Sequence, residues 1–139
     1  MRFGRAIPAL PVSDMTAAVD CYRDRFGFAV LHQEAGFAVL LRGDAEIHLW
    51  ESSDHSWEQR DSIQPAIRSG AESFLAGTAS CRIQVDDVDV LYDELKAAGV
   101  LHSVSLAGMQ DTDFGTREFA TIDIDGNLIA FFRRVTPRP

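Results

Sequence analysis

Histidine, cysteine and the carboxylates are where chemistry in this chain must come from, and their spacing leaves few options. His48 stands in GFAVLLRGDAEIHLW, two residues after Glu46 and two before Trp50. In a strand those three side chains share one face. One imidazole beside one carboxylate does not make a metal centre, because catalytic sites use about three protein ligands. A hydrogen-bonded sheet histidine is therefore the plainer reading of His48, and direct contact with a ligand in a cleft is the alternative. Cys21 and Cys81 lie far apart, without a CxxC partner or a neighbouring histidine. They read as buried free thiols rather than as a disulfide or a nucleophile. There is no GxSxG elbow, no P-loop and no dinucleotide-binding glycine pattern.

Aromatic and acidic residues offer a second kind of chemistry, which is recognition. Phe114 falls in QDTDFG, and a phenylalanine in so polar a loop is not an obvious core residue. Trp50 closes an apolar strand, where core or subunit interface is the default, and Trp57 would anchor a polar linker. Phe37 opens an apolar strand, where a core position is the default. Asp111, Asp113, Asp54 and Glu58 cluster by sequence with these aromatics. Solvated surface charge is the ordinary reading of each, and attraction of a cationic group is the sharper one. The whole chain carries a formal charge of -8, from 21 acidic against 13 basic residues. Such a field disfavours nucleic acid and anionic membranes as partners; keeping the protein soluble is its ordinary role, and raising the local concentration of a cationic ligand is the sharper one.

These residues must be positioned by a scaffold, and the sequence repeats one. PALPVSDMTAAVDCYRDRFGF and SCRIQVDDVDVLYDELKAAGV share a plan of strand, Asp cap, amphipathic helix and glycine stop. Met15, Val19, Tyr22 and Phe26 fall on one helix face, as do Val88, Leu91, Tyr92 and Leu95. GFAVLLRGDAEIHLW then overlays EFATIDIDGNLIAFF without a gap, at an offset of 82, as two hairpins with Asp/Gly turns. That overlay sets Phe37 on Phe119, Ala38 on Ala120 and Ile47 on Ile129. The Gly27/Gly99 offset is 72, so ten extra residues fall within His102–Thr116, a loop long enough to carry function. The expectation is an α+β fold of two βαβββ modules forming a cupped mixed sheet. It is one domain over 1–139, with modules at 5–52 and 78–135. The linker at 53–77 has a short helix at 64–69. With 139 residues, 46% hydrophobic, the chain is ordinary for a globular domain. It has no apolar run long enough for a membrane span and no secretion signal, so a reducing cytoplasm is expected.

A doubled βαβββ module carrying LPVSDM, CYRDRFGF and REFATIDIDGN resembles the vicinal-oxygen-chelate superfamily of glyoxalases, extradiol dioxygenases, and fosfomycin- and bleomycin-resistance proteins. In its enzymes a divalent metal is held by His, Gln or Glu on the first and last strands of each module. The matching slots here fall near Ile7, His48, Thr78 to Ser80, and Ala130, and His48 alone has a ligand side chain. The resemblance is nearer to the bleomycin-resistance proteins, which bind the drug intact and use no metal or other cofactor. It implies a non-enzymatic homodimer that sequesters a planar, cationic glycopeptide antibiotic in clefts between subunits, often with exchange of the N-terminal strand. Phe37 and Phe114 would stack on the ligand's flat group, His48 and Trp50 would line the cleft, and Asp111 and Asp113 would meet its charge. Phe114 stands where the family's best-known members have Trp, so it offers less stacking area. The Arg117–Glu118 dipeptide, kept across the family, implies a structural pair. The rival readings are a metal-dependent isomerase, thiol transferase or dioxygenase of the same superfamily, and a binding protein for another metabolite.

Overall fold

The computed structural model describes residues 1–52 and 75–135. The expected helix at 64–69, Trp57, Asp54 and Glu58 lie outside the described residues. The first module runs β1 (Ala9–Val12), α1 (Met15–Asp24), β2 (Ala29–Glu34), β3 (Phe37–Arg42) and β4 (Ala45–Glu51). The second runs β5 (Ser80–Gln84), α2 (Val88–Ala97), β6 (Gln110–Asp111), β7 (Thr116–Ile122) and β8 (Leu128–Arg134), with a 3-10 turn at Ser103–Ser105 before β6. Each module forms a four-stranded mixed sheet. The orders are β1-β4-β3-β2 and β5-β8-β7-β6, with the first strand parallel to the last and all other neighbours antiparallel. The doubled α+β plan is thus as the sequence implies. The residues added between α2 and β7 contain the 3-10 turn, and the strand that corresponds to β2 is reduced to Gln110–Asp111.

The helices start and stop for local reasons. Asp14 accepts from the Ala17 amide at 3.0 Å and Asp87 from the Val90 amide at 3.1 Å, each satisfying a donor the first turn leaves free. Gly27 at φ 74° and Gly99 at φ 75° turn the chain out through a region costly for other residues. The predicted face is fully engaged: Met15, Val19 and Tyr22 on α1 and Phe26 just beyond its end are all buried. Tyr22 stacks on Phe26 at 5.1 Å between centroids and meets Phe28 edge-on at 6.0 Å. In β3 and β4 the alternation is as clear. Ala38, Leu40, Ile47 and Leu49 are sealed beneath α1, while Phe37, Val39, Glu46, His48 and Trp50 point to the opposite, half-exposed face.

The gapless overlay of the two hairpins holds for β4 on β8 and fails for β3 on β7. Ile47 and Ile129 are both fully buried, but Phe37 is half-exposed where Phe119 is buried, and Ala38 is buried where Ala120 is not. The pair Leu41↔Glu46 encloses four residues and its counterpart Ile122↔Leu128 encloses five. One added residue in the turn turns every side chain of β7 to the other face relative to the overlay. The structural counterpart of Phe37 is therefore Glu118. The apolar LIAFF strand, β8, is internal to its sheet between β5 and β7, whereas the apolar β1 is an edge.

The two modules share one hydrophobic core and are fastened by the DIDGN turn between β7 and β8. Tyr22 donates to Asp123 Oδ2 at 2.7 Å across the module boundary, and Asn127 donates from Nδ2 to the same oxygen at 2.9 Å and to the Pro11 carbonyl at 2.8 Å. Asp123 Oδ1 accepts the amides of Asp125 and Asn127, both at 2.9 Å. Ser13 donates from its amide and hydroxyl to Asp125 Oδ1. Asp123, Asn127 and Tyr22 are buried, so each partner lost would strand the others away from water.

Candidate functional site

The unburied face of the first sheet gathers three of the expected residues. Phe37 begins β3 and is paired in register with Trp50 on β4, and Val39 is paired with His48. The His48 ring meets Phe37 edge-on, at 5.2 Å and 80°, and His32 from β2 approaches the same ring at 6.4 Å. Glu46 fixes the imidazole through a 2.7 Å contact between its Oε2 and His48 Nε2. The result is a half-exposed patch of Phe37, His48 and Trp50 with a carboxylate at one end. Such a patch offers a flat group an aromatic face and an acceptor.

Phe114 sits on the second module and is 66% exposed. It is held out by a tight turn between β6 and β7. Thr112 donates its amide to the Thr116 carbonyl at 2.8 Å, Thr116 donates its amide to Thr112 Oγ1 at 3.1 Å, and the two hydroxyls meet at 2.7 Å. Among the described residues, the aromatic neighbours of Phe37 are His32 and His48, and Phe114 is not one of them. Asp113 is exposed in the same turn. Asp111 is committed to Arg117, whose Nη1 lies 3.1 Å from both of its carboxylate oxygens, so much of its charge is already answered.

Arg117 and Glu118 are not a mutual pair. Neighbours on β7 point to opposite faces, and Arg117 reaches Asp89 at 3.0 Å and Asp111 on one side. On the other side Glu118 takes Arg82 at 2.8 Å, and that donor holds its carboxyl below the ordinary range. Arg82 in turn lies 4.7 Å over the Phe132 ring, with Arg134 at 5.8 Å from it. This cationic, aromatic strip on the unburied face of the second sheet escaped sequence reading. Its only signal is the alternation of Ala130, Phe132 and Arg134 with Arg82 on the neighbouring strand, and the misaligned overlay hid it.

The thiols are quiet. Burial pushes Cys21 up, and burial followed by the nearby Asp123 pushes Cys81 up to about 11. Both are free. The donor set also does not fit a metal. At the slots Ile7, Thr78 to Ser80 and Ala130 the side chains are apolar or hydroxyl, and at the remaining one His48 Nε2 is taken by Glu46. Among the described residues no three His, Cys, Asp or Glu side chains converge.

With a doubled βαβββ plan and two half-open sheets in place, the class follows: the chain belongs to the Glyoxalase/Bleomycin resistance protein/Dioxygenase superfamily, whose family model matches residues 5–131. Within it, the chain is 47% identical over 131 residues to proteins named bleomycin resistance protein from Geobacillus stearothermophilus and Staphylococcus aureus, covering 94% of this chain and 97% of theirs. Among solved structures it is similar to the bleomycin-binding protein of bleomycin-producing Streptomyces verticillus complexed with copper(II)-bleomycin, at 27% identity and TM-score 0.66, over 94% of this chain and 96% of that one. A lactoylglutathione lyase from Agrobacterium tumefaciens has the same fold at 20% identity and TM-score 0.70, covering 94% and 92%, so fold alone does not separate enzymes from binders. No helix among the described residues is long and apolar enough to cross a membrane.

Proposed function

We propose that this protein confers resistance by binding a bleomycin-type cationic glycopeptide antibiotic and holding it intact, with no bond made or broken. The observation that carries this is the near full-length, 47% identity to bleomycin resistance proteins. The half-exposed Phe37, His48 and Trp50 patch supports it as a stacking surface. The missing donors at the metal slots weigh against the enzymatic alternative.

Phe37 and Phe114 belong to different sheets, and a sandwich between them calls for a second copy of the chain. The working unit is then a homodimer with two clefts, each pairing the patch of one protomer with the Phe114 turn of the other. Asp113 is the carboxylate in that turn best placed to meet the drug's charge. The acceptor role first assigned to Asp111 is diminished by Arg117. Two free cysteines agree with a cytoplasmic setting.

Calorimetric titration with bleomycin, followed by mass spectrometry of the recovered drug, tests this reading. Saturable binding at one drug per chain with unaltered drug mass is expected. A changed drug mass would make the protein an enzyme, and no binding would remove the antibiotic from the reading. Sedimentation at micromolar concentration is expected to give a dimer.

A further inference from the structure

A cavity of about 790 Å³ opens between the two modules, at the turn end of β3 and β4. It is centred away from the aromatic patch, and Glu46 stands at the border between the two. Phe37 and Arg42 stand at opposite ends of β3, about 16 Å apart at roughly 3.3 Å per residue. Its size falls within the range of small-molecule pockets, about 300–1,000 Å³. The walls are mixed: apolar edges come from Phe26 and Phe28 after α1 and from Ile83, Leu91 and Phe131 of the second module, and polar and charged side chains line the rest.

The charges at its mouth are unequal. Arg42 and Arg82 are its only basic side chains, against Asp44, Glu46, Asp86, Asp87 and Glu94. Both arginines are already occupied. Arg42 holds Glu94 through contacts of 2.6 and 2.9 Å and donates to the Phe26 carbonyl at 2.7 Å, bridging the two modules across the opening. Arg82 holds Glu118. Glu46 is engaged by His48 and Asp87 caps α2. Among the described residues, the carboxylates of Asp44 and Asp86 have no side-chain partner. The Gln84 amide also lines the mouth and Arg5 donates to the Asp44 carbonyl, so neutral and cationic donors are present, but the two carboxylates without a side-chain partner, Asp44 and Asp86, tip the balance toward a cation.

We propose that this inter-module cavity is a second small-molecule site, selective for a compact organic cation with an apolar or aromatic body. The proposal is independent of antibiotic binding at the Phe37 patch. Two probes of one shape and opposite charge test it: 4-phenylbutylammonium and 4-phenylbutyrate, each titrated into the full chain and followed by amide chemical shifts. The ammonium is expected to shift the amides of 42–46 and 83–91 saturably, and the butyrate to leave them unmoved at tenfold higher concentration. Asp86→Asn and Asp44→Asn are each expected to weaken the ammonium about threefold, the scale of an exposed charge pair. Val90→Trp is expected to abolish binding by filling the mouth, and because Val90 is 63% exposed the larger side chain leaves the core undisturbed. Phe37→Ala is expected to change nothing. Equal binding of the two probes, no saturable shift, shifts centred on Phe37 and Trp50, or unaltered binding in both Val90→Trp and Asp86→Asn would each overturn the proposal. Bleomycin titrated into Val90→Trp separates the two sites: it binds as in the unaltered protein if the antibiotic reading holds and fails in both proteins if that reading is wrong.

Discussion

Phe114→Ala isolates recognition from folding. At 66% exposure the ring contributes little to the core, and its turn is held by the two threonines rather than by the ring. The unfolding midpoint should therefore stay nearly constant. Binding should not. A phenylalanine presents roughly 200 Å² of surface, so about 130 Å² of this ring is open, and a flat ligand on one face covers about half of that. At roughly 25 cal/mol per Å² the covered area is worth about 1.6 kcal/mol, and an aromatic pair adds about 0.5–1.5 kcal/mol. Truncation should thus weaken the drug by about 2–3 kcal/mol, or roughly 30- to 150-fold. The assay is calorimetric titration with bleomycin, beside urea unfolding of the same samples. An affinity within twofold of the unaltered protein would remove Phe114 from the site, and a large fall in stability would show that the turn depends on the ring after all.

Other outcomes follow from the contacts inside the fold. Tyr22→Phe removes the buried hydroxyl donated to Asp123, and urea unfolding should register a loss of about 1–2 kcal/mol. Gly77→Ala should destabilise far more than Gly99→Ala. Both have positive φ, but a Cβ at Gly77 would lie 2.1 Å from the Asp125 carbonyl oxygen while one at Gly99 meets nothing within 4 Å. Glu94 is held below its ordinary value of 4.5 by the hydrogen bond from Arg42. A carboxylate lowered on folding stabilises above its unfolded value and loses that contribution as pH falls through the lowered one. The stability gap between the unaltered protein and Glu94→Gln should therefore be present at pH 7 and shrink as pH drops below 4.5. Cys81, pushed up to about 11, should react with a thiol reagent at pH 8 roughly 100-fold more slowly than an ordinary cysteine until urea is added.

Much of the scaffold is written locally, and for that reason it was legible. Asp14 and Asp87 cap helices through amides three residues away, the glycine stops act within one turn, and the apolar faces follow the 3.6 and 2 residue periods of isolated elements. His48 and Glu46 are two residues apart on one strand, so their shared face needed no partner element to be seen. What the tertiary structure decided is whatever depends on a neighbouring strand or the other module. One extra residue in the β7–β8 turn sets Glu118 rather than Phe119 opposite the role of Phe37, and strand periodicity alone carries no register. Arg117 and Glu118 adjoin in sequence, yet the pleat sends one to Asp89 and Asp111 and the other to Arg82. The DIDGN stretch reads as a hairpin turn, but its Asp123 and Asn127 are buried by Tyr22 and Pro11 more than a hundred residues away, and they bind the modules together. The cavity beyond Arg42 likewise takes its walls from both modules, which Arg42 and Glu94 join across its opening. Side chains of one strand share a face by backbone geometry, whereas long-range pairs are chosen by how the two modules bury their common core.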